Sequence, residues 1–235
     1  MAVESVGSYE HMAELYGQKV DTKVANALYE RPNTLSLIAD HLSSMNVLDL
    51  GCGNGWYAEQ LTLRGARVTA VDVSPAMVSL TKERMGDKVR CIEADLEKPI
   101  EFATESEFDM IVAPLVLHYL QDWNAAIAEL SRVLKPGGTF IFSIHHPCNL
   151  NYQLGPVKNY HKTELVREHW KAFEADVQFY HHPLSQLTEA LFSSGFLIER
   201  MLEPQLSQQF RKADPKLYDK MADRMLFLFV RATKK

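Results

Sequence analysis

The sequence predicts an α/β fold, a mostly parallel sheet wound with helices on both faces. Two observations predict it. From residue 46 onward, apolar runs of four to six residues alternate with helical stretches of about a dozen. Strand alternating with helix is the pattern of right-handed crossovers in a sheet covered on both sides. The first run also breaks into three glycines at alternate positions before its helix, which suits a strand–turn–helix unit whose backbone comes close to a ligand.

Taken in order, residues 1–45 read as helical. Apolar side chains recur at helical spacing at Met12, Leu15 and Tyr16 and again at Leu35, Ile38, Ala39 and Leu42, with a break at Arg31-Pro32-Asn33. Strands follow at 47–50, 68–71, 89–92, 108–113 and 139–144, with helices at 56–64, 75–85 and 123–134 between them. Ser74 is a good N-cap, and Pro75 takes the first helical position. Lys135-Pro136-Gly137-Gly138 reads as the turn before the fifth strand, Pro fixing φ and Gly accepting positive φ. Over 148–182 the alternation stops, and a stretch rich in His, Tyr, Asn and Lys reads as an irregular lid insertion. A helix over 184–194, closed by Gly195, and strands over 196–201 and 225–230 complete the chain. The expected organisation is an N-terminal helical cap, 1–45, and one domain, 46–235, carrying the insertion at about 148–182.

Composition narrows the partners. The chain has 235 residues and a net charge of −5, which disfavours phosphate-neutralising contact with nucleic acid or an anionic membrane surface. Cys52, Cys91 and Cys148 are too few and too far apart for a disulfide framework or a zinc site. No apolar run approaches the ~20 residues of a membrane span, and the opening MAVESVGSYEH lacks the basic and apolar regions of a secretory signal. The expectation is a soluble, cytoplasmic protein, a monomer or homodimer, acting on a small molecule.

The most informative segment is Val47-Leu48-Asp49-Leu50-Gly51-Cys52-Gly53-Asn54-Gly55. Its glycines are spaced G-x-G-x-G rather than the G-x-G-x-x-G of dinucleotide sites. Asp49 stands just before them, where it repels a pyrophosphate but suits a cation. Asp72 ends the second strand about 20 residues after Gly51, where an acid accepts ribose hydroxyls. Together these features suggest a nucleoside with a positively charged, phosphate-free tail, and S-adenosylmethionine fits that description. A nicotinamide-dependent oxidoreductase uses the same strand–glycine–helix unit, but the shorter glycine spacing and Asp49 count against it. A protein that binds the cofactor without catalysis is the other alternative.

VLDLGCGNG, VDVSPAM, ADLE, FDMIVAPLVLHYL and LKPGGTFIFSIHHP occur in this order. In them the chain resembles the class I S-adenosylmethionine-dependent methyltransferases, and is most similar to the small-molecule, type 11 subgroup related to ubiquinone and menaquinone methyltransferases. The resemblance spans 45–145 and continues more weakly over 180–204. It implies a Rossmann-like, doubly wound seven-stranded sheet whose last strand is antiparallel. It also implies that Asp49 and the backbone of Gly51, Cys52 and Gly53 hold the methionine amino and carboxyl groups. Asp72 would take the ribose, Val73 and Met77 would face the adenine, and Ala94-Asp95-Leu96 would meet its exocyclic amine through Asp95. Pro114, Leu115 and His118 would lie near the methyl group, with Tyr16 as a cover.

Methyl transfer from a sulfonium needs alignment and, for a protonated acceptor, a base. The position after the fourth strand reads Ala113-Pro114-Leu115-Val116, unlike the Asn/Asp-Pro-Pro-aromatic motif of DNA amino-methyltransferases, and no acidic metal ligands stand there, so no metal is expected. Histidines are the base candidates, because imidazole titrates near neutrality. His146 ranks first, then His181, His118 and His145. The first pair ends the fifth strand, where open sheets place their ligands. Aromatics of the insertion (Tyr152, Tyr160, Trp170, Phe173, Phe179, Tyr180), with Tyr9, Met12 and Tyr16, are candidates to enclose a partly hydrophobic acceptor.

Overall fold

The computed structural model describes residues 10, 13, 15–148, 157–170 and 173–235. Tyr9, Met12 and Tyr152 lie outside the described residues. Seven strands form one sheet in the order β3-β2-β1-β4-β5-β9-β8. They are β1 (Asn46–Leu50), β2 (Arg67–Asp72), β3 (Arg90–Glu93), β4 (Phe108–Pro114), β5 (Leu134–His145), β8 (Phe196–Leu202) and β9 (Phe227–Lys234). The first five run parallel; β9 is antiparallel to both β5 and β8. This is a Rossmann-like order, the strand order reversing between β1 and β4.

The period of two along each strand sorts the core onto two faces. Leu48, Leu50, Ile111, Ala113, Phe140 and Phe142 pack on one side against α4 (Trp123–Val133) and α5 (Leu184–Ser193). Val47, Met110, Val112 and Ile141 pack on the other, under Tyr57, Ala58 and Leu61 of α2 (Trp56–Leu63) and Tyr29 of the N-terminal segment. Strands buried on both faces read as continuous apolar runs, which is why they were legible. Ser74 caps α3 (Pro75–Met85) by accepting the Met77 N–H at 3.3 Å.

Four expectations need correction. Arg31-Pro32-Asn33 does not break the N-terminal helix. The winding widens to a π turn over Asn26–Glu30, the Arg31 N–H reaching the Asn26 carbonyl, and runs straight into α1 (Arg31–Leu35). The wider turn accommodates a proline, which has no N–H to offer. Helix does not extend to Leu42, because the Leu42 and Ser44 N–H groups bond the Arg64 and Gly65 carbonyls at 2.8 and 3.3 Å. Residues 135–138 do not precede β5 but lie within it, as a bulge where the register with β4 shifts. Finally, the insertion is not wholly irregular: β6 (Glu164–Trp170) and β7 (Ala175–His181) form an antiparallel hairpin. Its inner residues Val177 and Phe179 are fully buried in a separate cluster with Tyr119 and Phe173, while Leu165, Arg167 and His169 face out.

Candidate active site

The carboxyl ends of β1, β2 and β4 open into one cavity, at the place where ligands of open α/β sheets sit. The glycine loop forms its floor. Gly51, Gly53 and Gly55 all have positive φ (63°, 55° and 79°). A Cβ on Gly51 would lie 2.2 Å from Val116 Cγ2, so the loop passes where only glycine fits. The Cys52 N–H bonds the Val71 carbonyl at 3.0 Å, and Thr81 Oγ1 donates to the Gly53 carbonyl at 2.9 Å. Asp72 accepts the Gly53 and Ser74 N–H groups, each at 3.0 Å, and lines the cavity. Burial pushes its pKa up against these donors.

Tyr16 covers the loop: its ring lies 3.6 Å from where a Gly53 Cβ would stand. Val73, Met77, Ala94 and Leu96 wall one end with apolar surface. Asp95, between two of these wall residues, is not itself in the wall, and its Oδ1 accepts the Glu97 N–H at 3.1 Å. Asp49 is fully buried behind the loop, outside the wall, and neither of its oxygens has a hydrogen-bond partner among the described residues. Burial and the neighbouring Asp72 push its pKa up to about 8. A buried acid without a partner costs free energy that a nearby cation or donor offsets. The tight glycine cradle, the orphaned Asp49 and the acid at the β2 tip therefore fit S-adenosylmethionine.

Known proteins agree. The methyltransferase domain family matches residues 48–142. An uncharacterized protein of Haemophilus influenzae is 28% identical over 98% of this chain and 97% of its own length. A malonyl-[acyl-carrier protein] O-methyltransferase of Serratia marcescens is 36% identical over 41% of this chain, and the match spans only 37% of that relative. The crystal structure of an S-adenosylmethionine-dependent methyltransferase from Mesorhizobium loti superposes with a TM-score of 0.75 at 25% identity, covering 92% of this chain and all of that one. The likeness is that of an S-adenosylmethionine-dependent methyltransferase: the domain match lies over residues 48–142, and methyltransferases of known structure cover 88% and 92% of this chain.

The methyltransferase thus uses S-adenosylmethionine, which supplies a methyl carbon on a sulfonium open to in-line displacement. Sequence reasoning missed part of its cavity. Glu30 and Arg31, side by side at the end of the π turn, both line it and are 2% and 5% exposed. Thr34 Oγ1 and Ser143 Oγ donate to one Glu30 oxygen at 2.7 and 2.8 Å, and Tyr57 OH donates to the other at 2.8 Å. Burial raises the Glu30 pKa, opposed by these donors and by Arg31. The Arg31 guanidinium donates to Asp21 at 2.8 Å and lies 4.2 Å from the centre of the Trp56 ring. Asp21 also accepts from Asn54 at 3.0 Å and from Arg84, tying the N-terminal segment to the glycine loop. The available signal was two adjacent charges in an apolar helix, but which face they take depends on the π turn.

The histidines divide. Pro114, Leu115, His118 and His145 line the far end of the cavity, with Tyr119 and Phe227. Leu115 has a φ of 55°, and its N–H bonds the Ser143 carbonyl at 2.9 Å and hydroxyl at 3.0 Å. The His118 and His145 rings stack 4.2 Å apart, and Phe179 meets both edge-on. Burial holds His118 well below the usual imidazole range, helped by His145 and His182; burial and Lys23 bring His145 to about 4. Among the described residues, His118 Nδ1 is buried without a hydrogen-bond partner. His146 is buried outside the wall: its Nε2 pairs with Glu203 at 2.7 Å while Nδ1 accepts the Cys148 N–H at 3.1 Å, so the proton sits on Nε2. His181, also outside it, donates through Nε2 to the Tyr160 carbonyl at 2.9 Å. Among the described residues no group of three His, Cys, Asp or Glu stands close enough to hold a metal, and no helix is long and apolar enough to cross a membrane.

Proposed function

We propose that this methyltransferase acts in the cytoplasm, as a monomer or homodimer, on a small, partly hydrophobic metabolite bound beside the stacked His118–His145 pair. The observation that carries the reading is that pair itself: a buried His118 stacked on a half-buried His145 at the far end of the cavity, in contact with Tyr119, Phe179 and Phe227. Apolar walls with a few polar groups suit a small organic ligand. The acidic net charge supports a metabolite over a nucleic acid.

In this reading Asp72 holds the ribose, while Gly51, Cys52 and Gly53 present loop backbone to the methionine tail, with Asp49 behind them. Val73, Met77, Ala94 and Leu96 contact the adenine, with Asp95 at its edge. Tyr16 closes over the cofactor, and Arg31 meets the methionine carboxylate. Pro114 and Leu115 border the methyl group. Of the four histidines, His118 and His145 contact the acceptor. His146 positions the turn after β5 through Glu203, and His181 positions the hairpin through Tyr160. Incubation with methyl-tritiated S-adenosylmethionine and a whole-cell extract tests the reading. Label is expected in the fraction of low molecular mass; label confined to protein or nucleic acid refutes it.

A further inference from the structure

We infer that the acceptor is a carboxylic acid, methylated on its own carboxylate to a methyl ester, with Lys23 as the cation that receives it. The inference rests on the proposed acceptor site beside His118 and His145.

Lys23 is exposed, lines the cavity and lies near enough to His145 to oppose a positive charge there. Its ammonium lies 5.1 Å from the centre of the Trp170 ring and 5.2 Å from that of Phe173. Among the described residues no carboxylate forms an ion pair with it. Asp21 is taken by Arg31, Asn54 and Arg84. Glu168 acts on Lys23 only through space, and one of its oxygens accepts the Trp170 Nε1–H at 2.9 Å. Arg31, the cavity's other cation, is held by Asp21 beside the glycine loop. Among the described residues, then, the acceptor end carries a positive charge with no ion-pair partner. The two neighbouring ring faces hold the ammonium in place while leaving it open to an anionic ligand.

The second feature is the absence of a good base. The cavity's two acids are engaged: Glu30 accepts three hydroxyls, and Asp72 accepts two backbone N–H groups. The two imidazoles stack on each other among aromatic rings, and Lys23 opposes a positive charge on His145. Alcohols and amines must lose a proton on methylation, whereas a carboxylate has none to lose. The step balances without one. A carboxylate oxygen bonds the methyl carbon as the carbon–sulfur bond breaks, and the electron pair of that bond stays on sulfur. A sulfonium and an anion become a neutral thioether and a neutral ester. The buried His118 Nδ1, without a partner among the described residues, supplies a donor to the second carboxylate oxygen in the tautomer that carries its proton there.

The test uses the full chain with methyl-tritiated S-adenosylmethionine, a filtered metabolite extract, and a panel of aliphatic and aryl carboxylic acids beside their matched alcohols. Alkali releases a methyl ester as volatile labelled methanol and leaves methyl ethers and N-methyl groups intact. The expected label is alkali-labile, on acids and not on alcohols. Lys23→Met is expected to cut the rate at least tenfold and leave the dissociation constant for S-adenosylhomocysteine within twofold; Lys23→Arg restores much of the rate. Alkali-stable label overturns the inference and leaves the small-molecule reading intact. An unchanged rate in Lys23→Met, or weakened S-adenosylhomocysteine binding with transfer spared, also overturns it. Label on no small molecule, with cofactor still bound, removes the small-molecule reading and this inference together.

Discussion

Replacing Gly51 by alanine tests whether the glycine loop is dictated by space or only by backbone freedom. The residue has a φ of 63°, and the new Cβ would stand 2.2 Å from Val116 Cγ2. The left-handed conformation alone costs an L-residue about 1–2 kcal/mol. Forcing a methyl group into a packed site costs about 1–3 kcal/mol more, so Gly51→Ala is expected to lose roughly 2–5 kcal/mol. Gly137 separates the two parts: its φ is 75°, but a Cβ there meets nothing within 4 Å. Gly137→Ala therefore loses only the backbone share of about 1–2 kcal/mol. In a chain of this length each kcal/mol lowers the melting temperature by about 2–4 °C, so differential scanning calorimetry resolves the difference. Titration calorimetry with S-adenosylhomocysteine adds a second readout: binding falls at least tenfold in Gly51→Ala and is unchanged in Gly137→Ala. Equal destabilisation by the two substitutions, or intact binding by Gly51→Ala, would refute the close-approach argument.

Three further outcomes are expected. Asp72→Ala removes a carboxylate that braces Gly53 and Ser74 and meets the ribose in the proposed reading. Hydrogen bonds to a charged group contribute about 1.5–3 kcal/mol each, so the dissociation constant for S-adenosylhomocysteine should rise by about a hundredfold, measured by calorimetry. Glu30→Gln removes a buried negative charge from the cavity wall while keeping its shape. It should weaken the sulfonium cofactor severalfold more than its neutral product S-adenosylhomocysteine, and equal weakening of both would remove Glu30 from sulfonium recognition. His145 is brought down to about 4 by burial and Lys23. A base whose pKa is depressed by folding binds its proton first in the unfolded chain, so it contributes stability above the unfolded value near 6.5 and loses it as pH falls toward 4. Wild type should lose about 3 kcal/mol more than His145→Asn over that range; comparing the two proteins by denaturant unfolding cancels the other titrations, Asp49 included. Parallel stability curves would show that His145 titrates normally.

The legible parts of this protein are those set by neighbours in the chain. Strand period, the capping of α3 by Ser74, the three glycines and the acid ending β2 depend on local backbone geometry, and they were sufficient for the sheet and for the cavity at the end of β1. The hairpin of the insertion was also written locally, in the alternation of Leu165, Arg167 and His169 against Val177 and Phe179, but masked by the polar residues around it. The choice among histidines was half written. His145 ends β5 and shares the parity of Ile141 and Ser143, whereas His146 lies just past the strand. Parity does not say which face meets the acceptor. That depends on where α1, the hairpin and the turn at Leu117–Tyr119 come to rest, through contacts between residues as distant as Glu30 and Ser143.

By itself, then, the sequence determined an α/β methyltransferase with a glycine-floored cavity at the end of β1, because φ preference, side-chain alternation and glycine spacing act within a few residues. Only the tertiary structure decided that Glu30, Arg31 and Lys23 join the cavity, and that His118 and His145 rather than His146 and His181 line it. Those placements come from burial and long-range hydrogen bonding, whose partners have no fixed spacing along the chain.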